Sequence, residues 1–472
     1  MEAELEKAKE EIRRLRNILD VNGISSEPVG VVEADAAGTC SPFNDEVKDR
    51  WRSVSEHGLS AEDISRYSRQ IIMPGFTAQG QAKLKNASVL VVGLGGLGSP
   101  AALYLTAAGI GRLGLVDSDM VEASNLHRQV IHSERTVGTP KVDSAAAACR
   151  ALNSSITISA HHHGLSPDNA LQLVQSYDVV LDCTDNPPSR YLLNDACVAS
   201  NCPLVSGAGI GLEGQLAVYN YGQESCCYRC MFPTPRQAGQ CQRCADAGVL
   251  GVVPGIIGCM QALEAIKIIT GVGTVLTKLL LFDASAASFH GMKLPARKPG
   301  CAACGTSPTE LRARIGAMDR KAFTAEAHDA GPTPLSLLAS TARIAAADLA
   351  AKLPPAHGAS PGCSESYKEG YVLVDVRPPH EFAFGSLPGA MNLPWSQSSW
   401  SAHVPELLRL CAPAEEADAK AASRPIFVIC RRGNDSQRAV SVLHDAGLKD
   451  AYDVKGGLVA WRADVDPEFP AY

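Results

Sequence analysis

"ASVLVVGLGGLGSPAALYLTAAGI" occupies residues 87–110. An apolar run (87–93) enters a glycine-rich turn (93–98), and an apolar stretch of helical length (99–110) leaves it. The run carries no polar alternation, so it reads as a strand buried on both faces. Gly93, Gly95 and Gly98 stand at the G-x-G-x-x-G spacing, with Gly96 between them. Glycines so placed allow a tight turn, close backbone approach to a phosphate, and close packing of helix on strand. Strand, glycine turn and helix in this order open a nucleotide-binding α/β unit.

The next strand, "RLGLVDSD" (112–119), brings Asp117 to its end, where a carboxylate can hold ribose hydroxyls. "SNLHRQ" (124–129) follows, and Ser124, Asn125, Leu126, His127 and Arg128 are assigned to the nucleotide with it. Lys141 comes next, and "CTDN" (183–186) supplies Asp185 and Asn186 at another strand end. Arg128 and Lys141 can neutralise a triphosphate. Asp185 can hold Mg²⁺, which prefers a carboxylate plus phosphate oxygens. Hydride transfer needs no such cluster, so the set favours ATP with Mg²⁺ over a dinucleotide. Further strands at 177–186, 203–210 and 214–221 and a long helix at 253–271 complete an alternating pattern. That pattern predicts a mostly parallel, Rossmann-type α/β sheet.

The chain has 472 residues, enough for two or three domains, and a net charge of -7 that argues against a general nucleic-acid grip. No stretch is read as a membrane span, and Met1 is followed by the charged "EAELEKAKEE", unlike a signal peptide. The expected compartment is the cytosol, where 16 cysteines suit metal binding or catalysis better than disulfides. The organisation expected is an N-terminal helix (1–20), an irregular segment (21–58), a nucleotide domain (59–304), a linker (305–342) and a smaller α/β domain (343–472).

"CYRC" (227–230) and "CAAC" (301–304) are two C-x-x-C knuckles. Cys227, Cys230, Cys301 and Cys304 would complete a closed tetrahedral Zn²⁺ site, one ion per chain, stapling distant segments. The adjacent Cys226 is given no role. "HHH" (161–163) reads as a solvated strand end, because three consecutive strand residues cannot face one ion. Cys149, Cys183, Cys197, Cys202 and Cys259 read as packing residues. Cys411 falls in an irregular stretch.

In the rear domain, "VICRRGNDSQRA" (428–439) runs a strand into Cys430, then a loop, then a helix from about Ser436. Inward N–H groups and a helix N-terminus form an anion nest that stabilises a thiolate or a persulfide. Arg431 and Arg432 add positive potential. A cysteine phosphatase needs Arg six residues after its cysteine; Ser436 stands there, and Arg438 is two residues late.

Two resemblances follow. "RYSRQI" (66–71), "GLGGLG", "VDSDMVEASNLHRQ" and "DCTDNPPSRYLLND" together resemble the ubiquitin-activating (E1) superfamily over about residues 60–300. The resemblance implies that Arg69 reaches the ATP of a neighbouring subunit in a homodimer. It also implies adenylation of the C-terminal glycine of a ubiquitin-like protein. Cys244, before "ADAGVLG", is similar to the cysteine of that family's crossover loop and is expected to attack an activated acyl group or resolve an acyl disulfide. "CRRGND" (430–435), "LVDVRPPHEFAFGSLPGAMNLP" (373–394) and "KGGLVAW" (455–461) resemble a rhodanese sulfurtransferase. The acidic Asp435 should repel thiosulfate, which leaves a protein-borne persulfide as donor. The whole chain resembles the eukaryotic adenylyltransferase and sulfurtransferase family. That resemblance implies a ubiquitin-like sulfur carrier as substrate, a cysteine desulfurase as persulfide donor, and a C-terminal thiocarboxylate as product, serving tRNA wobble-uridine thiolation, molybdopterin synthesis, or both. The alternatives are an E1 that forms a thioester for protein conjugation, and a non-catalytic scaffold.

Overall fold

The computed structural model describes residues 57–234, 248–321, 323, 335–353, 370–411 and 424–470. The expected helix at 1–20, nearly all of the segment at 21–58, and Cys244 lie outside these residues.

The first sheet has eight strands: β1 (Ser88–Val92), β2 (Arg112–Val116), β3 (Thr157–His161), β4 (Val179–Asp182), β5 (Leu204–Ile210), β6 (Glu213–Tyr219), β7 (Lys278–Asp283) and β8 (Ser288–Lys293). Their order is β3-β2-β1-β4-β5-β6-β7-β8, parallel through β5 and antiparallel beyond it. Successive residues of β1 enter different cores: Val89 and Val91 on one face, Leu90 and Val92 on the other. This is why its sequence shows no polar alternation. Strand order reverses between β1 and β4, so the crevice at their carboxyl ends is the natural ligand position. The glycine turn leaves β1 there, and Asp185 lies just beyond β4.

Helices on this sheet include α1 (Gly98–Ala108), α2 (Lys141–Leu152), α3 (Pro187–Ser200) and α4 (Val252–Thr270). The sequence reading placed no membrane-length stretch in the chain, yet α4 has 19 residues and the apolarity of a span. It is a core helix of the first sheet: Val253, Ile257, Ala262 and Ala265 are buried with β1 and β6, and its Lys267 is paired with Glu264.

Residues 305–342, read as a linker from their Ala, Thr and Pro content, contain ordered structure at both ends. Helix α5 (Pro308–Gly316) is capped by Ser307 and buries Leu311 and Ile315 in the first domain's core. Leu335 N–H donates to Asn434 Oδ1 at 2.9 Å, and Leu338 packs in the rear domain. Composition alone concealed these two apolar anchors.

The second sheet is fully parallel, in the order β11-β10-β12-β13-β9. Its strands are β9 (Arg343–Ile344), β10 (Val372–Asp375), β11 (Met391–Asn392), β12 (Ile426–Ile429) and β13 (Ala451–Val454). Helices α6 (Asp435–Asp445) and α7 (Gly457–Asp464) follow β12 and β13. Asp375 and Arg377 form a fully buried ion pair, and Arg377 also donates to the carbonyls of Glu381 and Gly385. The Asp-Val-Arg signature is therefore a scaffold that ties down the next turn. Cys411 is buried at the end of the helix Val404–Cys411, a correction to its irregular assignment.

Candidate active sites and metal centre

The glycines of the first loop divide by what surrounds them. Gly93 has φ +93°, and a Cβ on it would lie 2.6 Å from the Cys183 carbonyl oxygen. A Cβ on Gly98 would meet the Gly93 oxygen at 1.9 Å, and one on Gly96 would meet Pro254 at 2.9 Å. Those three are demanded by the fold. At Gly95 the nearest atom would be Gln129 Nε2 at 3.8 Å, so the protein does not require glycine there. An open backbone at that position is what close phosphate approach needs.

Asp117 accepts the Leu94 N–H at 2.7 Å and the Asp119 N–H at 2.9 Å, one on each oxygen. It therefore braces the glycine loop, and each oxygen keeps a lone pair for a ribose hydroxyl. Removal from water raises its pKa, against the lowering effect of Lys141. Lys141 is buried at the start of α2, with Nζ 2.8 Å from Asp119 Oδ2. Ser124 and Asn125 stand on a 3₁₀ turn and both donate to Glu122. Arg128 donates to the Ser124 carbonyl and to Asn125 Oδ1, and lies against His127 Nε2 at 2.7 Å. Desolvation and Arg128 push the His127 pKa down, so its nitrogen accepts. Leu126 caps the turn.

At the end of β4, Asn186 spends its side chain capping α3 through the Ser189 N–H at 2.9 Å. Asp185 is exposed. Arg69 is exposed on the helix Ser68–Ile71.

Sequence reasoning missed the polar network beside this turn. Asp182, fully buried, accepts from Thr184 Oγ1 at 2.6 Å and Ser206 Oγ at 2.7 Å. Arg190 donates to the carbonyls of Thr184 and Gly207. Arg190, Ser206, Gln215, Tyr228, Phe232 and Leu279 line a small cleft. A charged residue ending an apolar strand was the available signal.

Cys227, Cys230, Cys301 and Cys304 are all buried, with their sulfurs within 4.8 Å of one another. Individual separations are 3.5 Å for Cys227–Cys301, 3.3 Å for Cys230–Cys304 and 3.9 Å for Cys227–Cys230. Zn–S bonds of about 2.3 Å at tetrahedral angles place sulfurs about 3.8 Å apart, so the set fits zinc. The Lys298 and Ala303 N–H groups point at Cys230 and Cys301 sulfurs, as outer partners of a thiolate site do. Burial and the neighbouring Cys230 push the Cys227 thiol up to about 11, so a divalent cation is what would let all four ionise. Cys226 is buried beside the cluster but is not one of its four sulfurs.

Cys430 follows β12 directly. The Gly433 N–H donates to its sulfur at 3.1 Å, and Gly433 holds φ +83° to make that turn. Ser436 Oγ lies 3.2 Å from the same sulfur. Helix α6 begins at Asp435, one residue earlier than expected, and Arg438 pairs with Asp435 at 2.6 Å. The late arginine thus offsets part of the charge of Asp435, which weakens the expected repulsion of thiosulfate. Gly456 and Gly457 let α7 close over the loop: Leu458 and Val459 N–H groups donate to the carbonyls of Cys430 and Arg431.

The ThiF family model matches residues 67–303, and the rhodanese-like domain model matches residues 364–464. Adenylyltransferase and sulfurtransferase MOCS3-1 of Zea mays is 46% identical over 484 residues, covering 100% of this chain and 97% of the relative. The chain belongs to the adenylyltransferase and sulfurtransferase family. Members of that family similar to this chain include MOCS3 of Arabidopsis thaliana, 46% identical over 88% of this chain and 87% of the relative. MOCS3 of Sus scrofa is 45% identical over 88% and 89%. Among solved structures, E. coli MccB with MccA-N7isoASN aligns with a TM-score of 0.47 and 26% identity over 53% of this chain and 76% of that one. As a member of the adenylyltransferase and sulfurtransferase family, the chain is an enzyme of both kinds, with an ATP-binding ThiF domain ahead of a smaller rhodanese domain.

Proposed function

We propose that the enzyme adenylates the C-terminal glycine of a ubiquitin-like sulfur carrier and then converts it to a thiocarboxylate with sulfur presented on Cys430. The observation that carries this is the union in one chain of an open phosphate cradle at Gly95 and a nested thiol at Cys430. The carrier's carboxylate attacks the α-phosphate of ATP, and pyrophosphate leaves. Asp117, Arg128 and Lys141 hold the nucleotide. Asp185 holds Mg²⁺, which neutralises triphosphate charge. The terminal sulfur of the Cys430 persulfide then attacks the acyl carbon and AMP leaves, giving an acyl disulfide. Cys244 resolves it, releasing thiocarboxylate and leaving a disulfide that an external thiol reduces. The four-cysteine zinc is structural.

A cysteine desulfurase supplies the persulfide, and the product serves tRNA wobble-uridine 2-thiolation, molybdopterin synthesis or both, in the cytosol. We assign residues 59–304 to the adenylating half and 343–472 to the sulfur-transfer half, with no direct nucleic-acid or membrane contact. A homodimer accounts for Arg69 and for the exposed apolar residues Val252, Ile256 and Leu263 on α4. Mass spectrometry of the carrier after incubation with ATP and a persulfide donor tests the reading. Exchange of one oxygen for one sulfur at its C-terminus is expected; a carrier left only as adenylate, or found as a stable thioester on the enzyme, would overturn it.

A further inference from the structure

Behind Cys430 lies a row of polar contacts that the reaction above does not use. Ser436, fully buried in the first turn of α6, has Oγ 3.2 Å from the Cys430 sulfur and donates to Asp453 Oδ1 at 2.5 Å. Asp453, fully buried in β13, accepts Arg343 Nε on its other oxygen at 2.7 Å. An ionised carboxylate only accepts, so the one proton of Ser436 is committed to Asp453. The serine oxygen can then only accept from the sulfur, and the Cys430 S–H is the donor that faces it. The row is polarised from thiol to hydroxyl to carboxylate.

We propose that Ser436 and Asp453 form the proton exit of Cys430, through which the thiol is deprotonated as it is loaded with sulfur. The proposal rests on Cys430 being the sulfur-accepting thiol. As the Cys430 sulfur attacks the outer sulfur of a persulfide donor R–S–SH, a bond forms between those two sulfurs and the donor's S–S bond breaks. The donor leaves as the thiolate RS⁻. The Cys430 proton passes to the Ser436 oxygen while the Ser436 proton passes to Asp453 Oδ1. When the Cys430 sulfur is later set free as a thiolate, the proton returns by the same path. Ser436 touches the reacting atom; Asp453 acts through it.

The surroundings suit a carboxylate that must take a proton transiently. Burial raises the Asp453 pKa, while Ser436, Arg343 and Lys455 lower it. Arg343 comes from β9 and Ser436 from α6, whereas the paired position on β12 is the apolar Val428. The other charges on the sulfur loop are Arg431, Arg432 and the Asp435–Arg438 pair.

The test measures persulfide loading of Cys430 in the full chain by mass spectrometry, with glutathione persulfide as donor, from pH 6 to 9. Ser436→Ala and Asp453→Asn are compared with the unaltered chain. Each variant should load about 100-fold more slowly at pH 7, the low end of what a positioned proton-transfer group typically contributes. The deficit should shrink toward pH 9, where hydroxide removes the thiol proton directly. A deficit equal at every pH would mark a structural role and overturn the proposal, as would no deficit. Ser436→Ala leaves the Asp453–Arg343 pair in place, so it decides the question even if Asp453→Asn fails to fold. If the unaltered chain itself never loads Cys430, the assignment of the sulfur-accepting thiol fails instead.

Discussion

Gly98 lies so close beneath Gly93 that a Cβ on the first would sit 1.9 Å from the carbonyl oxygen of the second. A Cβ on Gly95, two residues after Gly93, would meet nothing nearer than Gln129 Nε2 at 3.8 Å. Substitution separates fold from binding. Gly98→Ala should cost on the order of 3 kcal/mol or more, since backbone must move. Gly95→Ala should stay within about 0.5 kcal/mol of the original stability yet raise the KM for ATP ~10-fold or more, about 1.4 kcal/mol. Thermal melting and ATP-dependent pyrophosphate exchange measure the two effects; equal melting for both variants would contradict the assignment.

Asp185→Ala should abolish adenylation and leave the fold intact. The side chain is exposed at the carboxyl end of β4, while its neighbour Asn186 does the capping. With Asp185 holding Mg²⁺ as proposed, its removal should take charge stabilisation from the departing pyrophosphate, a loss of at least ~100-fold. Pyrophosphate exchange near the original rate would refute it.

Metal analysis should find one zinc per chain. Cys227→Ser, or removal of the ion by a chelator, should lower the melting temperature, because the four ligands come in pairs whose members are 74 residues apart (Cys227–Cys301 and Cys230–Cys304). A metal-free preparation that melts unchanged would count against a structural ion.

Cys430→Ala and Cys244→Ala should both still form acyl-adenylate, since neither thiol takes part in attack on phosphate. Thiocarboxylate should fall to background without Cys430. Without Cys244 it should form slowly and respond to added reductant. Equal yield from Cys430→Ala and the unaltered chain, in the absence of sulfide, would sink the sulfur relay.

The features legible in the sequence are local ones. The strand, glycine turn and helix at 87–110 and both C-x-x-C knuckles carry their geometry in spacing alone, and so does the CRRGND loop. Features made by distant residues were not legible. Strands β9 and β11 are two residues long and exist only because β13 and β10 offer free edges. The cap of Ser307 and the anchors Leu311 and Ile315 were masked by the Ala, Thr and Pro content around them. Asp453 reads as an ordinary strand residue until folding puts it against Ser436, 17 positions earlier.

The placement of β9 bears on how the rear domain is made. The first strand of that sheet in sequence is zipped to the last, β13, across a separation of 110 residues at Arg343 and Asp453. Such pairing is slow to form and comes late in synthesis. A nascent or truncated chain ending before β13 has Cys430 but lacks Asp453, the α7 lid and a mate for β9. On the proposed proton path, such a chain would carry only an ordinary thiol at Cys430 until β13 and α7 are in place.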